Sequence, residues 1–200
     1  MRELFYEAEV EIEGLTPLIH HKNDVAQLKS TPHDRSTDWS EEWKQTTYLS
    51  MDGGDQKYAI IPVQNMQAML RDFGQRGGKK IGRESLKNIL NGGLDIVDFE
   101  IPIHVNGGKI TLEDIEKNKW ILEAPVRIGK DRVPRSRTML PIGWNGRFTI
   151  RITDKRLTPQ LLEMYLENAG WEMGLMDWRP GAPKPGSFGR FSVKKFKVKN

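Results

Sequence analysis

From Leu4 to Glu13 (LFYEAEVEIE) apolar and acidic positions alternate through Ala8, Val10 and Ile12, a period of two that predicts a strand with one wetted face, ending at Gly14. The stretch 16–56 keeps no period and is rich in Ser, Thr, Asp and Pro. It reads as an inserted arm with a short strand at Lys44 to Leu49, closed by the turn Asp52-Gly53-Gly54-Asp55. After the apolar run Tyr58 to Ile61, the residues Pro62, Met66, Met69, Leu70 and Phe73 recur at helical spacing, with Pro62 suited to the first turn and Gly74 as the stop. A short helix over Glu84 to Leu90 is expected to end at Asn91-Gly92-Gly93. Leu94 to Val105 follows as a strand in which Pro102 marks an edge or a bulge. Trp120 to Ile128 and Arg147 to Ile152 read as two further strands. Thr158 is an N-cap with Pro159 at the first helical position, and Leu161, Leu162, Tyr165, Leu166 and Ala169 form one apolar stripe ended by Gly170. A glycine- and proline-rich loop, Gly174 to Gly189, leads to a last strand, Arg190 to Val198, where a slip at Lys194-Lys195 predicts a bulge.

Without its insertions the order is strand, helix, strand, strand, helix, strand. The expected fold is therefore α+β, a ferredoxin-like (RRM-like) βαββαβ antiparallel sheet with two helices on one face. At 200 residues, 37% apolar and 29% charged, a single domain over 1–200 is expected, carrying the arm at 16–56 and a long basic hairpin at 127–147.

Charge changes this picture more than composition does. The formal net charge is only +4, yet it is strongly segregated. Phe73 to Arg83 holds Arg76, Lys79, Lys80 and Arg83 without an acid. Arg127 to Arg137 sets Arg127, Lys130, Arg132, Arg135 and Arg137 against Asp131 alone. From Trp178 onward there are seven basic residues, among them Arg179, Lys184 and Arg190, and no acid. The three segments carry +15, and the rest of the chain carries -11. Such segregation is the footprint of a polyanion binder, since each neutralised phosphate releases condensed counterions. The alternative is that short basic runs are simply solvated surface.

The segment AGWEMGLMDWRPGAPKPGSFGRF, Ala169 to Phe191, gathers glycine N–H groups and arginines at one edge of the inferred sheet, chemistry suited to holding phosphate. The absence of cysteine excludes disulfides, cysteine-ligated zinc and a thiol nucleophile, and makes a reducing, cytoplasmic setting the expectation. No apolar stretch is long enough for a membrane span, and no secretory leader is recognisable at the N-terminus. Asp52 and Asp55 offer two carboxylates in a turn, but no ligand ladder of the EF-hand kind follows. There is no Walker loop, dinucleotide fingerprint or zinc-protease motif. Neither a metal nor a cofactor is expected.

GLMDWRPGAPKPGSFGRF resembles the C-terminal glycine-rich loop of the CRISPR-associated RAMP superfamily. EVEIEGLTPL is similar to that family's first strand and its Gly-x-x-Pro-Leu turn, and YAIIPVQNMQAMLRDFG to its strand, proline and helix bearing an arginine, here Arg71. Two features depart from the pattern: Val63-Gln64-Asn65-Met66-Gln67 replaces the usual Ser-Ser-Leu-x-Gly helix start, and the final loop is expanded by Pro180 to Pro185. A stand-alone relative from a phage or mobile element is equally compatible. The resemblance implies an RNA- or single-stranded-DNA-binding surface made of the glycine-rich loops and a protruding hairpin, in a homo-oligomer or a ribonucleoprotein subunit assembled head to tail. Arg71 and the basic residues named above would hold phosphates. Trp39, Trp43, Trp144 or Trp178 would either stack on bases or pack in the core or against neighbouring subunits.

Some relatives cut RNA with a histidine after the first strand, where His20 and His21 stand here, so a metal-independent endoribonuclease is the alternative reading. Others cut with an arm aspartate, for which Asp34 and Asp38 are the positions, although solvated loop acids account for them as well. His33 and His104 are isolated. A third reading is an assembly protein whose basic loops touch partner subunits and no nucleic acid.

Overall fold

In a computed structural model the chain is described over residues 4–22, 39–51, 54, 56–128 and 131–199, without the side chains of 127, 128 and 131. The first strand, β1 (Tyr6–Gly14), buries Tyr6, Ala8, Val10 and Ile12 and turns Glu7, Glu9, Glu11 and Glu13 outward, as its period of two requires. It runs between β11 (Asn145–Ile152) and β12 (Phe191–Lys199), antiparallel to both, with Glu7 opposite Arg151 on one side and Lys199 on the other. Beyond β11 come β7 (Glu100–Val105) and β3 (Ile60–Pro62), so the path of the sheet is β12-β1-β11-β7-β3. β6 (Leu94–Ile96) also pairs with β11, and β8 (Gly108–Lys109) with β7. The molecule is thus mixed α and β, with antiparallel sheets and few helices.

The inward residues of this sheet share one core with α2 (Val63–Gln75), α3 (Leu86–Gly93) and α5 (Pro159–Glu172). Met66, Met69, Leu70 and Phe73 supply the α2 stripe, and Leu162, Leu166 and Ala169 that of α5. Thr158 caps α5 as expected, accepting the Leu161 N–H. Both glycines read as helix stops lie inside their helices instead. Gly74 is buried where α2 meets the start of α3, and a side chain at Gly170 would run into the Phe191 carbonyl, so each marks a close approach of two elements. Asn91-Gly92-Gly93 likewise belongs to α3, which Ser85 starts by accepting the Asn88 N–H.

Other expectations change in the same way. Leu94 to Val105 is two strands broken at 97–99, where the Asp98 carboxylate accepts the Thr149 N–H and replaces a ladder bond. Pro102 sits opposite Ile60 of β3, inside the sheet path and not at its edge. The strand expected at Lys44 to Leu49 is a short helix, α1 (Glu42–Thr46), because the Thr46 and Thr47 hydroxyls bond back to the carbonyls of Glu42 and Trp43 while Trp43 is buried. The bulge in the last strand is present: Glu11 pairs with Lys195 and Ile12 with Val193, which leaves Lys194 as the extra residue. α4 (Leu112–Lys117) is started by a Thr111/Asp114 capping box.

A second, three-stranded sheet holds β2 (Leu18–Ile19), β10 (Asp131–Leu140) and β9 (Ile121–Ile128) in the order β2-β10-β9. Its two long strands form the basic hairpin, which starts six residues earlier than expected and ends at Leu140. β4 (Lys80–Ile81) and β5 (Glu84–Ser85) form a small hairpin of their own. No helix among the described residues is long and apolar enough to cross a membrane.

Candidate nucleic-acid interface

Residues of the three basic segments, far apart in sequence, come together at the end of α5 and the loop 174–189 that follows it. At the end of α2, Arg76 donates to the Glu172 carbonyl at 3.1 Å, and Lys79 Nζ lies 3.4 Å from the Glu172 carboxylate. From the hairpin, Arg137 reaches Asp177 with 2.6 Å between Nη1 and Oδ2. The third segment is the loop itself and the strand that leaves it.

The loop is held rigidly. Leu175 donates to the Gly189 carbonyl, Gly181 to Met173, Gly186 to Arg179 and Phe188 to Trp178, while the Arg179 side chain closes onto the Met176 carbonyl. It is also stitched to the segment after β1, through Asp177 N–H to Ile19 and Gly189 N–H to Pro17. Gly189 has a φ of +70°, and a Cβ there would collide with the Leu175 carbonyl, so only glycine fits. The glycine N–H groups are therefore consumed by the loop's own fold, and they do not form the open phosphate cradle that the sequence implies. What the loop presents outward is its side chains.

Their placement divides the sequence-derived candidates. Lys80, Arg83, Arg132 and Lys184 are exposed and make no ion pair or side-chain hydrogen bond among the described residues. Arg71 is exposed beside Asp72 at 3.1 Å. Arg135 and Arg137 face inward: Arg135 Nε is 3.0 Å from the buried Glu42 carboxylate and its guanidinium lies 4.2 Å from the Trp39 ring centre, while Arg137 lies 4.7 Å from that of Trp178. Arg190 sits 4.7 Å above Trp171, bonded to that residue's carbonyl. Lys130 lies outside the described residues, as does the side chain of Arg127. Trp43 and Trp144 are fully buried, Trp144 donating to the Thr16 carbonyl, so base stacking is closed to them. Asp34, Asp38, His33 and the aspartates of the 52–55 turn lie outside the described residues, and no cluster of metal-ligating side chains occurs among those described.

His20 is fully buried. Its Nδ1 accepts the Tyr48 N–H at 3.2 Å, and burial holds its pKa down to about 3. His21 is half-buried near Arg137 and Asp177, and burial together with the Arg137 charge keeps it below the usual histidine range. Glu42 and Asp177 are functional partners that the sequence reading passed over. Burial raises the pKa of Glu42 against the opposing pull of Arg135 and Arg137. Asp177 is the only acid downstream of Glu172, a signal visible in the sequence.

The His20 environment carries a pH prediction. A group neutral when folded but protonated when unfolded loses stability as pH falls through its unfolded pKa, here from about 6.5 toward 3. Between pH 7 and pH 5 the loss attributable to His20 is about 2 kcal/mol. Asparagine keeps an acceptor for Tyr48 and does not titrate, so urea unfolding of His20→Asn should show a pH dependence flatter by that amount. Parallel slopes for the two proteins would refute the assignment.

The outer face of the sheet is of another kind. Glu7, Glu9, Glu11 and Glu13 are interleaved with Arg151, Lys199, Arg147 and Lys194, at separations of 2.6 to 3.6 Å. Lys194 and Lys199 of the C-terminal strand, with Arg147 and Arg151 of β11, thus neutralise β1 and leave a balanced, wetted surface.

No family model and no curated protein matches the sequence. Solved structures do. A chain in the cryo-EM structure of the type III-B Cmr-beta complex bound to cognate target RNA aligns with 96% of this chain at 15% identity and a TM-score of 0.50, and this chain spans 60% of its length. Cmr6 from Pyrococcus furiosus aligns at 9% identity and a TM-score of 0.45, covering 95% of this chain and 98% of that one. A chain of a type IV-B CRISPR complex aligns at 12% identity and 0.46, covering 96% and 90%. The first of these likenesses is one of fold alone.

Proposed function

We propose that this chain is a single-strand nucleic-acid-binding protein of RAMP type, with RNA as the ligand, working in the cytoplasm as a subunit of a ribonucleoprotein. One observation carries the reading: residues of three basic segments reach the end of α5 and the glycine-rich loop that follows it, and Lys80, Arg83, Arg132 and Lys184 of the same segments are exposed and make no ion pair among the described residues. The strand path β12-β1-β11-β7, with a helix-bearing connection on either side of the central pair, supports the ferredoxin-like form of the fold. A chain of similar fold occurs in a complex bound to target RNA, which supports RNA as the ligand. We read 1–200 as one domain, with the arm at 16–56 and the hairpin as its extensions. A binding role without cleavage is favoured because His20 is buried and already bonded.

The test is a salt titration of binding to a labelled single-stranded RNA, with the DNA of the same sequence alongside. Four phosphate contacts on a single strand predict a slope of log K against log salt of about -3. No binding at low salt, or affinity independent of salt, would refute the proposal.

A further inference from the structure

Trp171 ends α5 with 56% of its surface exposed, the only tryptophan among the large exposed hydrophobic side chains of the described residues. A single exposed apolar side chain is ordinary by itself, so the weight falls on what surrounds this one. The Arg190 guanidinium stands 4.7 Å above the ring, anchored by its Nε donating to the Trp171 carbonyl at 3.1 Å, so one face is already taken by a cation. On the next residue, Arg76 donates to the Glu172 carbonyl and Lys79 pairs with the Glu172 carboxylate. Arg76 also lines a groove of about 360 Å³ between the end of α2 and the glycine-rich loop, together with Gln75, Met173, Pro180 and Pro185. Two acids stand close by, and both are engaged: Glu172 by Lys79, and Asp72, which lines the same groove, by Arg71. A flat π surface with Arg190 on one face, next to a residue held by Arg76 and Lys79, fits a planar group carried on a polyanion.

Resting on the nucleic-acid reading above, we propose that Trp171 is a base-stacking platform: a nucleobase of the bound strand stacks on its open surface, with the flanking phosphates directed to Arg190 and Arg76. Stacking is indifferent to base identity, because every base has a π face, and it is independent of salt. It therefore separates cleanly from the phosphate contacts of Lys80, Arg83, Arg132 and Lys184.

The test uses the full chain and a 12-nucleotide oligouridylate, with affinity measured across a salt series and the mass in solution measured alongside. Trp171→Ala should weaken binding about 5- to 150-fold at every salt concentration with the slope unchanged, and Trp171→Phe should stay within about threefold of the parent. Parent-like affinity of Trp171→Ala, with the steep salt dependence intact, would overturn the platform and leave the nucleic-acid reading standing. A change in solution mass at unchanged RNA affinity would assign Trp171 to a protein contact and overturn it equally. A parent chain that binds no oligouridylate at low salt would overturn both.

Discussion

Asp177→Ala is expected to lower the free energy of unfolding by about 3 kcal/mol, the largest effect of any exposed or half-exposed charge in the molecule. The Arg137 side chain retains only 8% of its surface and forms its ion pair with Asp177, at 2.6 Å. Removing that partner leaves a buried guanidinium against the Trp178 ring, with the Glu42 carboxylate, already held by Arg135, as the remaining anion acting on it. Asp177 itself is 30% exposed, which puts the cost at the lower end of the range for breaking buried pairs. The double change Arg137→Met with Asp177→Leu removes both charges and should recover most of the loss. Urea unfolding of the three variants decides the matter. A single-variant cost below about 1 kcal/mol, or a double variant no better than the single, would show that the pair does not hold hairpin and loop together.

The quadruple change of Lys80, Arg83, Arg132 and Lys184 to alanine is expected to weaken single-strand binding by about 10²- to 10³-fold at 0.1 M salt and to reduce the salt slope by about 3. The magnitude follows from extrapolating four counterion-releasing contacts from 1 M salt, where they contribute little. All four side chains are exposed and unpaired among the described residues, so the melting temperature should barely move. A charge-matched control replaces Lys194, Lys195, Lys197 and Lys199, which line the acidic row of β1. Equal losses of affinity in both sets would mean that only net charge matters and would sink the assignment of an interface to the loop side of the sheet.

The parts of the fold that one local period determines were readable from the chain. β1 alternates without interruption, α5 shows its N-cap, its proline and its stripe, and the Lys194 bulge follows from a break in parity. The errors arose where a residue's meaning is set by a distant neighbour. Gly74 and Gly170 look like stops, yet each is small because another backbone passes over it, which no local pattern records. The same holds for the interface. Its basic residues were visible as runs, but which of them were free depended on Glu42 and Asp177, isolated acids lying 93 and 40 residues from the arginines they hold. Trp171 was passed over for a related reason: its exposure comes from the termination of α5, while the tryptophans that sequence favoured include two that are core.

The position of β1 between β11 and β12 bears on how the chain is made. β1 is an interior strand of the sheet that leaves the ribosome well before either of its hydrogen-bonding neighbours, which lie more than 130 residues later, with pairs such as Glu7 to Arg151 and Glu7 to Lys199. Through most of translation this strand therefore exists with two unsatisfied edges, the state most prone to pairing with another nascent chain. Its outward glutamates, at every second position from 7 to 13, repel a second copy laid alongside it and attract the cationic strands that arrive last. Charge repulsion along the acidic row thus disfavours self-pairing of β1 in the interval before β11 and β12 have emerged, in addition to balancing charge in the finished sheet.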